Sequence, residues 1–183
     1  MRVFLGLEIP FTVKKHIYDF LVPLKRTEKG WEKPHDYHQT LLFIGELKDE
    51  ELLEIKKRMD HFSFMPFVLT TKGFHFFNRR VLYLSFENSH ELLEIKKQVN
   101  EQFSEWVRPE AKPFIPHVTV KRWQRHEYND LHQGLHMEGF KQRTFEVKNL
   151  SLFQSKKDAQ ANKYHVIYRS KFTKGNERYL GQS

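Results

Sequence analysis

Twice in this chain a histidine stands two residues before a threonine. His38 and Thr40 lie in His38-Gln39-Thr40-Leu41-Leu42-Phe43-Ile44-Gly45, and His117 and Thr119 in Pro116-His117-Val118-Thr119-Val120-Lys121-Arg122. Imidazole and hydroxyl at that spacing suit acid–base chemistry at a phosphate. A neutral imidazole takes a proton from water or a hydroxyl, and a protonated one gives a proton to a leaving oxygen. An unperturbed pKa near 6.5 makes both forms accessible. Threonine hydroxyls can hydrogen-bond the nonbridging oxygens where charge gathers. In-line displacement at phosphorus needs acid and base on opposite sides, so two such pairs say far more than one. A metal site is the chemical rival. Catalytic zinc usually has three protein ligands, which would require His35 to join the two imidazoles. His35 lies three residues from His38 and so on the other face of a strand that reaches that far. Surface or structural roles are expected for histidines 16, 61, 75, 90, 126, 132, 136 and 165, although His126, His132 and His136 could shape a loop over a cleft.

Both pairs sit in apolar, β-branched and aromatic runs preceded by proline, which read as strands. Side chains alternate faces along a strand, so each histidine shares a face with its threonine while the intervening residues are buried behind. Around these strands the pattern predicts a first strand from Val3 to Ile9, ended by Pro10. A helix over Phe11 to Val22 follows, with Val13, Ile17, Phe20 and Leu21 on its apolar side, and Pro23 closes it. Thr27 to Lys33 is a polar loop. Asp49 is the expected N-cap of a helix to about His61, followed by strands at Pro66 to Phe77 and Val81 to Phe86 across an Asn78-Arg79-Arg80 turn. Asn88, with Glu91 three residues on, resembles a capping box for a helix running to about Trp106. Arg125 to Arg143 reads as a long loop with a short helix near Tyr128 to Leu135. Strands at Phe145 to Gln154 and Tyr164 to Phe172 close the chain before a frayed tail.

An internal repeat organises these elements. His117 lies 79 residues after His38 (117 − 38), and the same offset carries the strand at 3–7 to 82–86 and the helix at 11–22 to 90–101. The heptapeptide Glu-Leu-Leu-Glu-Ile-Lys-Lys also occurs twice, at 51–57 and 91–97, but its offset of 40 is discordant and reflects amphipathic composition. The unit is therefore strand, helix, loop and His-Thr strand, taken twice. That predicts two lobes related by a pseudo-twofold about a central cleft. His38 and His117 would face each other across the cleft.

Composition narrows the class. With 183 residues, 39% of them hydrophobic and 17 of them phenylalanine, the chain can bury a substantial core and does not read as disordered. No stretch approaches the roughly 18 continuous apolar residues of a membrane helix, and the first ten residues have too short an apolar run for a signal peptide. The absence of cysteine excludes disulfides, thiolate catalysis and cysteine zinc sites, and it fits a cytoplasmic protein. Lys and Arg number 31 against 23 Asp and Glu, a formal charge of +8 that favours polyanionic partners, nucleic acid first. Arg79, Arg80, Lys121, Arg122 and Arg125 fall near the predicted strand ends and are the expected basic rim of the cleft.

The segments Trp31 to Glu46 and Pro113 to Arg122 resemble the two H-x-T-x signatures of the 2H phosphoesterase superfamily. Within it the chain is most similar to the bacterial and archaeal RNA 2′,3′-cyclic phosphodiesterases, also called 2′-5′ RNA ligases. Met1 to Leu5, Arg79 to Leu84 and Leu150 to Ser155 share the likeness, which spans nearly the whole chain. The resemblance implies a bilobal α+β fold in one domain over 1–183, with antiparallel sheets lining a central cleft and helices outside. It also implies a metal-independent reaction without cofactor, in which water opens a 2′,3′-cyclic phosphate to a 2′-phosphomonoester and the reverse direction can join RNA ends 2′-5′. It makes His38 the proton donor to the leaving 3′ oxygen, His117 the base acting on water, Thr40 and Thr119 the phosphate-binding hydroxyls, and Arg122 a phosphate or nucleotide contact. Lys121 departs from the small residue common at its place. The expected partner is RNA ending in a 2′,3′-cyclic phosphate, bound by a monomer without a membrane. Two other readings remain at this point: an RNA-binding module that has lost catalysis, and a phosphodiesterase for a small nucleotide such as ADP-ribose cyclic phosphate.

Overall fold

The strand that begins the chain is buried on both faces. In β1 (Arg2–Glu8) every residue from Val3 to Leu7 is buried, as a strand inside a sheet with both sides covered must be. The structure, a computed structural model, describes residues 1–24, 30–78, 80–107, 113–123, 137–157 and 162–172. The expected helix near 128–135, His126, His132 and His136, Arg79, Arg125 and the tail lie outside the described residues. After β1 the carbonyl of Pro10 accepts the amides of Val13 and Lys14, which opens α1 (Phe11–Leu21). That helix buries Val13, Ile17 and Leu21, one stripe at four-residue spacing. Val22 keeps right-handed helical geometry, but Pro23 has no amide to continue the α ladder, and the chain tightens into a 3-10 turn at Val22–Leu24.

The remaining elements are β2 (His38–Glu46), α2 (Asp49–Asp60), β3 (Phe67–Phe77), β4 (Val81–Phe86), α3 (His90–Gln102), β5 (His117–Arg122), β6 (Thr144–Val147), β7 (Asn149–Lys157) and β8 (Asn162–Lys171). Eight strands form one sheet in the order β6-β3-β4-β5-β2-β1-β7-β8. All its pairings are antiparallel. Outward from the β5–β2 seam the order mirrors itself, with β4 matching β1 and β3 matching β7, so the duplicated α+β unit is visible in the topology. The antiparallel strands of the two lobes run on as one continuous sheet. Its halves join at a single ladder pair, Gln39↔Val118.

Four boundaries differ from the sequence pattern. Helix α2 is capped at Lys48, not Asp49, and the Lys48 amide donates to Glu51 Oε2 at 2.8 Å. Helix α3 is capped by Ser89 rather than Asn88, its hydroxyl accepting the Leu92 amide at 3.1 Å. The same helix stops at Gln102, and Ser104–Trp106 is a separate 3-10 turn. The predicted strand from Phe145 to Gln154 is two strands broken at Lys148. Strand β6 pairs with β3 and β7 with β1, at opposite ends of the sheet order. One residue can link those ends only because the sheet is curled.

Candidate active site

The seam between the halves is where both His-Thr pairs lie. Gln39 and Val118, the one ladder pair, are fully buried, so their side chains define the core face. Continuing the antiparallel register one residue each way sets His38 opposite Thr119 and Thr40 opposite His117, all four on the other face. Beyond that pair the strands part. Gln39 holds the gap: its Oε1 accepts the His117 amide at 2.6 Å, and its Nε2 donates to the Thr40 carbonyl at 2.6 Å. One buried side chain thus ties the backbones of the two motifs together. Gly6 sits opposite Thr40 in β1, and a Cβ there would lie 2.6 Å from the Gln39 carbonyl oxygen, too close for any side chain.

Each site strand then loses its simple alternation at the same place. In β2 the ladder to β1 runs Glu8↔His38, Leu7↔Gln39 and Gly6↔Thr40, then Leu5↔Leu42 and Phe4↔Phe43, which leaves Leu41 as the extra residue of a bulge. In β5 the ladder to β4 runs Leu84↔Val118 and Tyr83↔Thr119, then Leu82↔Lys121 and Val81↔Arg122, which leaves Val120 extra. The two bulges are 79 residues apart (120 − 41). A bulge shifts facing by one residue. Phe43 and Arg122, each three residues past its threonine, therefore return to the threonine's face. The bulge carbonyls find different partners: Leu41 O accepts the buried Lys96 Nζ at 2.7 Å, and Val120 O accepts the Glu32 amide at 2.9 Å.

Both imidazoles are anchored alike. His38 Nδ1 lies 2.6 Å from the Asp36 carbonyl oxygen and His117 Nδ1 2.7 Å from that of Ile115. A carbonyl only accepts, so Nδ1 carries the proton in the neutral ring and Nε2 is left for the reacting proton. Their surroundings differ. Phe4, Phe153 and Tyr164 enclose His38, with ring centroids at 4.8, 5.3 and 4.6 Å. The buried Asp36 carboxylate accepts the Tyr164 amide at 3.0 Å and so keys β8 to the loop before His38. Burial pushes His38 down to about 4; the Asp36 carbonyl opposes this, and Lys14, Arg122 and His117 add to it. Phe77 and Tyr83 flank His117 at 4.9 and 5.5 Å. Burial lowers the pKa of His117 as well, with Ile115 opposing and Arg122 adding.

The cations sort themselves unexpectedly. Arg122 remains half-exposed on the site face, its Nη2 3.3 Å from Thr119 Oγ1 and its Nε 3.2 Å from Glu32 Oε1. Lys121, expected on the basic rim, is 0% exposed. The bulge turns it towards the core, where its Nζ lies 4.5 Å from the centre of the Trp31 ring and 4.8 Å from that of Trp123. Arg80 is exposed at the β3–β4 turn. His35 is exposed with its Nε2 3.3 Å from Asp36 Oδ2, and among the described residues no three His, Cys, Asp or Glu gather where a metal could sit.

The spacing of the motifs located His38, Thr40, His117, Thr119 and Arg122, and the structure gathers all five on one face of the seam. Sequence reasoning missed Gln39, Glu32, Phe43, Lys96 and Tyr164. Gln39 alone carried a signal, since a long polar side chain in a strand position predicted to be buried must find partners.

Residues 23–159 match the family described as the 2′-5′ RNA ligase superfamily. A Thermotoga maritima protein named RNA 2′,3′-cyclic phosphodiesterase is 27% identical over 188 aligned residues, covering 98% of this chain and 100% of that protein. An Archaeoglobus fulgidus protein of the same name is 28% identical, covering 85% of this chain and 91% of its own. Among solved structures, E. coli LigT complexed with 3′-AMP superposes with a TM-score of 0.79 at 20% identity, over 94% of this chain and 98% of that one, a likeness of fold.

Proposed function

The chain belongs to the 2′-5′ RNA ligase superfamily, and from that premise we propose that it is a metal-independent RNA 2′,3′-cyclic phosphodiesterase. The observation that carries this reading is the square of two imidazoles and two hydroxyls at the seam, each imidazole held by Nδ1 on a carbonyl. With the cyclic phosphate between the strands, His117 Nε2 takes a proton from the attacking water. The bond from phosphorus to O3′ breaks, and His38 Nε2–H supplies the proton to O3′, leaving a 2′-phosphomonoester. Thr40, Thr119 and Arg122 receive the charge that develops on the nonbridging oxygens. His38 must be protonated to act, and the anionic phosphate itself opposes the effect of burial by favouring the imidazolium. In-line geometry sets the ribose on the His38 side. There Phe43, 60% exposed, offers a flat apolar ring for the base. With an RNA 5′-hydroxyl in water's place, the same displacement joins two ends 2′-5′.

The chain acts as one unit of two lobes, a monomer, in the cytoplasm. Among the described residues no helix is long and apolar enough to cross a membrane. A second reading, the cyclic phosphate of a small nucleotide, gains from the withdrawal of Lys121, which narrows the basic rim. The test is turnover of an RNA ending in a 2′,3′-cyclic phosphate against a 2′,3′-cyclic mononucleotide, both in EDTA. The proposal predicts a 2′-phosphomonoester from RNA, with the longer substrate preferred. Preference for the mononucleotide would favour the second reading. Loss in EDTA restored by zinc or manganese would favour a metal enzyme, and RNA binding without turnover a non-catalytic module.

A further inference from the structure

The loop after α1 crosses β5 just where its bulge turns Arg122 towards the site. Three contacts fasten it there. The Arg122 amide donates to the Gly30 carbonyl at 2.8 Å, Trp31 bridges Lys121, and the Glu32 amide donates to the Val120 carbonyl at 2.9 Å. Gly30 has φ +91, and a Cβ there would lie 2.0 Å from the Arg122 carbonyl oxygen, so only glycine permits this approach. Beneath the loop the Lys121 ammonium lies against the faces of Trp31 and Trp123. All this anchoring fixes one side chain that the reaction so far does not use. Glu32 is 8% exposed, and its carboxylate meets the Arg122 Nε at 3.2 Å while the same guanidinium reaches Thr119 with Nη2 at 3.3 Å.

We propose that Glu32 is a positioning residue for phosphoryl chemistry: it fixes the Arg122 guanidinium by its Nε edge so that the Nη edge is aimed at the nonbridging oxygens as they gain charge. This rests on the reading of Arg122 as a phosphate contact. A carboxylate beside an anion site costs ground-state affinity through like-charge repulsion, and its compensating benefit is a guanidinium already in place when charge develops. Burial pushes the Glu32 carboxyl above its usual range and Asp36 adds to this, while Arg122 opposes both, so the Arg122 guanidinium is the contact that favours the charged form.

The experiment is a double-mutant cycle over Glu32→Gln and Arg122→Ala, read by kcat on a 2′,3′-cyclic mononucleotide and by affinity for inorganic phosphate. The glutamine keeps the shape and the backbone contacts of the loop but removes the charge. With Arg122 present, kcat should fall roughly tenfold in Glu32→Gln while phosphate binds no more tightly, the range expected for coupled neighbours. In the Arg122→Ala background the same change should leave kcat unaltered, while phosphate binding tightens because only a like charge has been removed. Glu32→Asp should recover part of kcat. An equal fall in kcat in both backgrounds, unchanged kcat with Arg122 present, or equal tightening of phosphate in both would overturn the proposal. Matched unfolding midpoints exclude a folding cause. If the wild-type protein turns over no cyclic phosphate, the proposed function itself fails, and the phosphate-binding arm still decides whether Glu32 and Arg122 act as a pair.

Discussion

The two halves of the seam are built to one plan and equipped for different work. Each offers a histidine on a carbonyl two residues back, a threonine, a bulge one residue later, and a side chain returned to the site face by that bulge. At the matched positions Phe43 stands where Arg122 stands, and Phe4 packs on His38 as Tyr83 does on His117. Around His38 the half is aromatic and closed. Around His117 it is more open and carries the Arg122–Glu32 pair. On the proposed mechanism the duplicated scaffold supplies symmetric placement on either side of phosphorus, and the side chains beyond the motifs would decide which side receives the nucleoside and which the water.

The strongest way to break that comparison is to remove either imidazole. His38→Ala and His117→Ala should each lower cyclic-phosphate hydrolysis by roughly 10²–10⁴-fold with the fold retained, measured by initial rates beside circular dichroism. Full activity in either variant would end the assignment. Next come the matched positions three residues past the threonines. Arg122→Ala should cost up to about 10²–10³-fold in kcat, the range for one lost oxyanion donor, and should act on every cyclic phosphate. Phe43→Ala should instead weaken nucleotide binding by about 1–3 kcal/mol and leave inorganic phosphate affinity unchanged, the signature of stacking. Equal effects of the two on phosphate would erase the contrast between the halves.

Acid should separate the halves by pH. His38 titrates near 6.5 when unfolded and at about 4 when folded, so its neutral form contributes stability that is fully present above 6.5. That contribution is lost as pH falls towards 4, up to about 3 kcal/mol on the linkage rule. Urea midpoints should therefore drop across that window, and His38→Gln should flatten the drop more than His117→Gln. The kcat/KM profile, which reports the free enzyme, should be a bell on the acid side of 6.5. The kcat profile should lie at higher pH, because bound phosphate favours both imidazolium forms. The smallest effect concerns the rim. With Lys121 buried, Arg122 and Arg80 are the described members of the predicted set still exposed, so the salt slope for RNA binding should be about −0.7 to −1.4 on the single-strand rule. A slope near zero would indicate a small-nucleotide substrate.

How far the sequence was legible follows the same division. Period-two alternation and the 79-residue offset located both histidine strands and their faces, because those depend on residues close in the chain. The fate of Lys121 was not legible. Its parity assigned it to the site face, and a bulge defined only by β4 turned it between two indoles. Glu32 looked like one more loop carboxylate, since its partner lies 90 residues away. Asp49 and Asn88 are good caps by composition, yet the helices begin at neighbours whose geometry suits the incoming chain. The near-continuous alternation from Phe145 to Gln154 hid the break at Lys148, which only the curl of the sheet explains.

The assignment of acid to the closed half and base to the open half is tested most directly with a substrate whose leaving oxygen needs no proton. A 2′,3′-cyclic phosphate with sulfur at the 3′ position departs as a thiolate, which is stable at far lower pH than an alkoxide. On that substrate His38→Ala should regain most of the wild-type rate, while His117→Ala should stay as impaired as on the natural one. Rescue of His117→Ala instead, or equal impairment of both, would contradict the division of labour between the two halves.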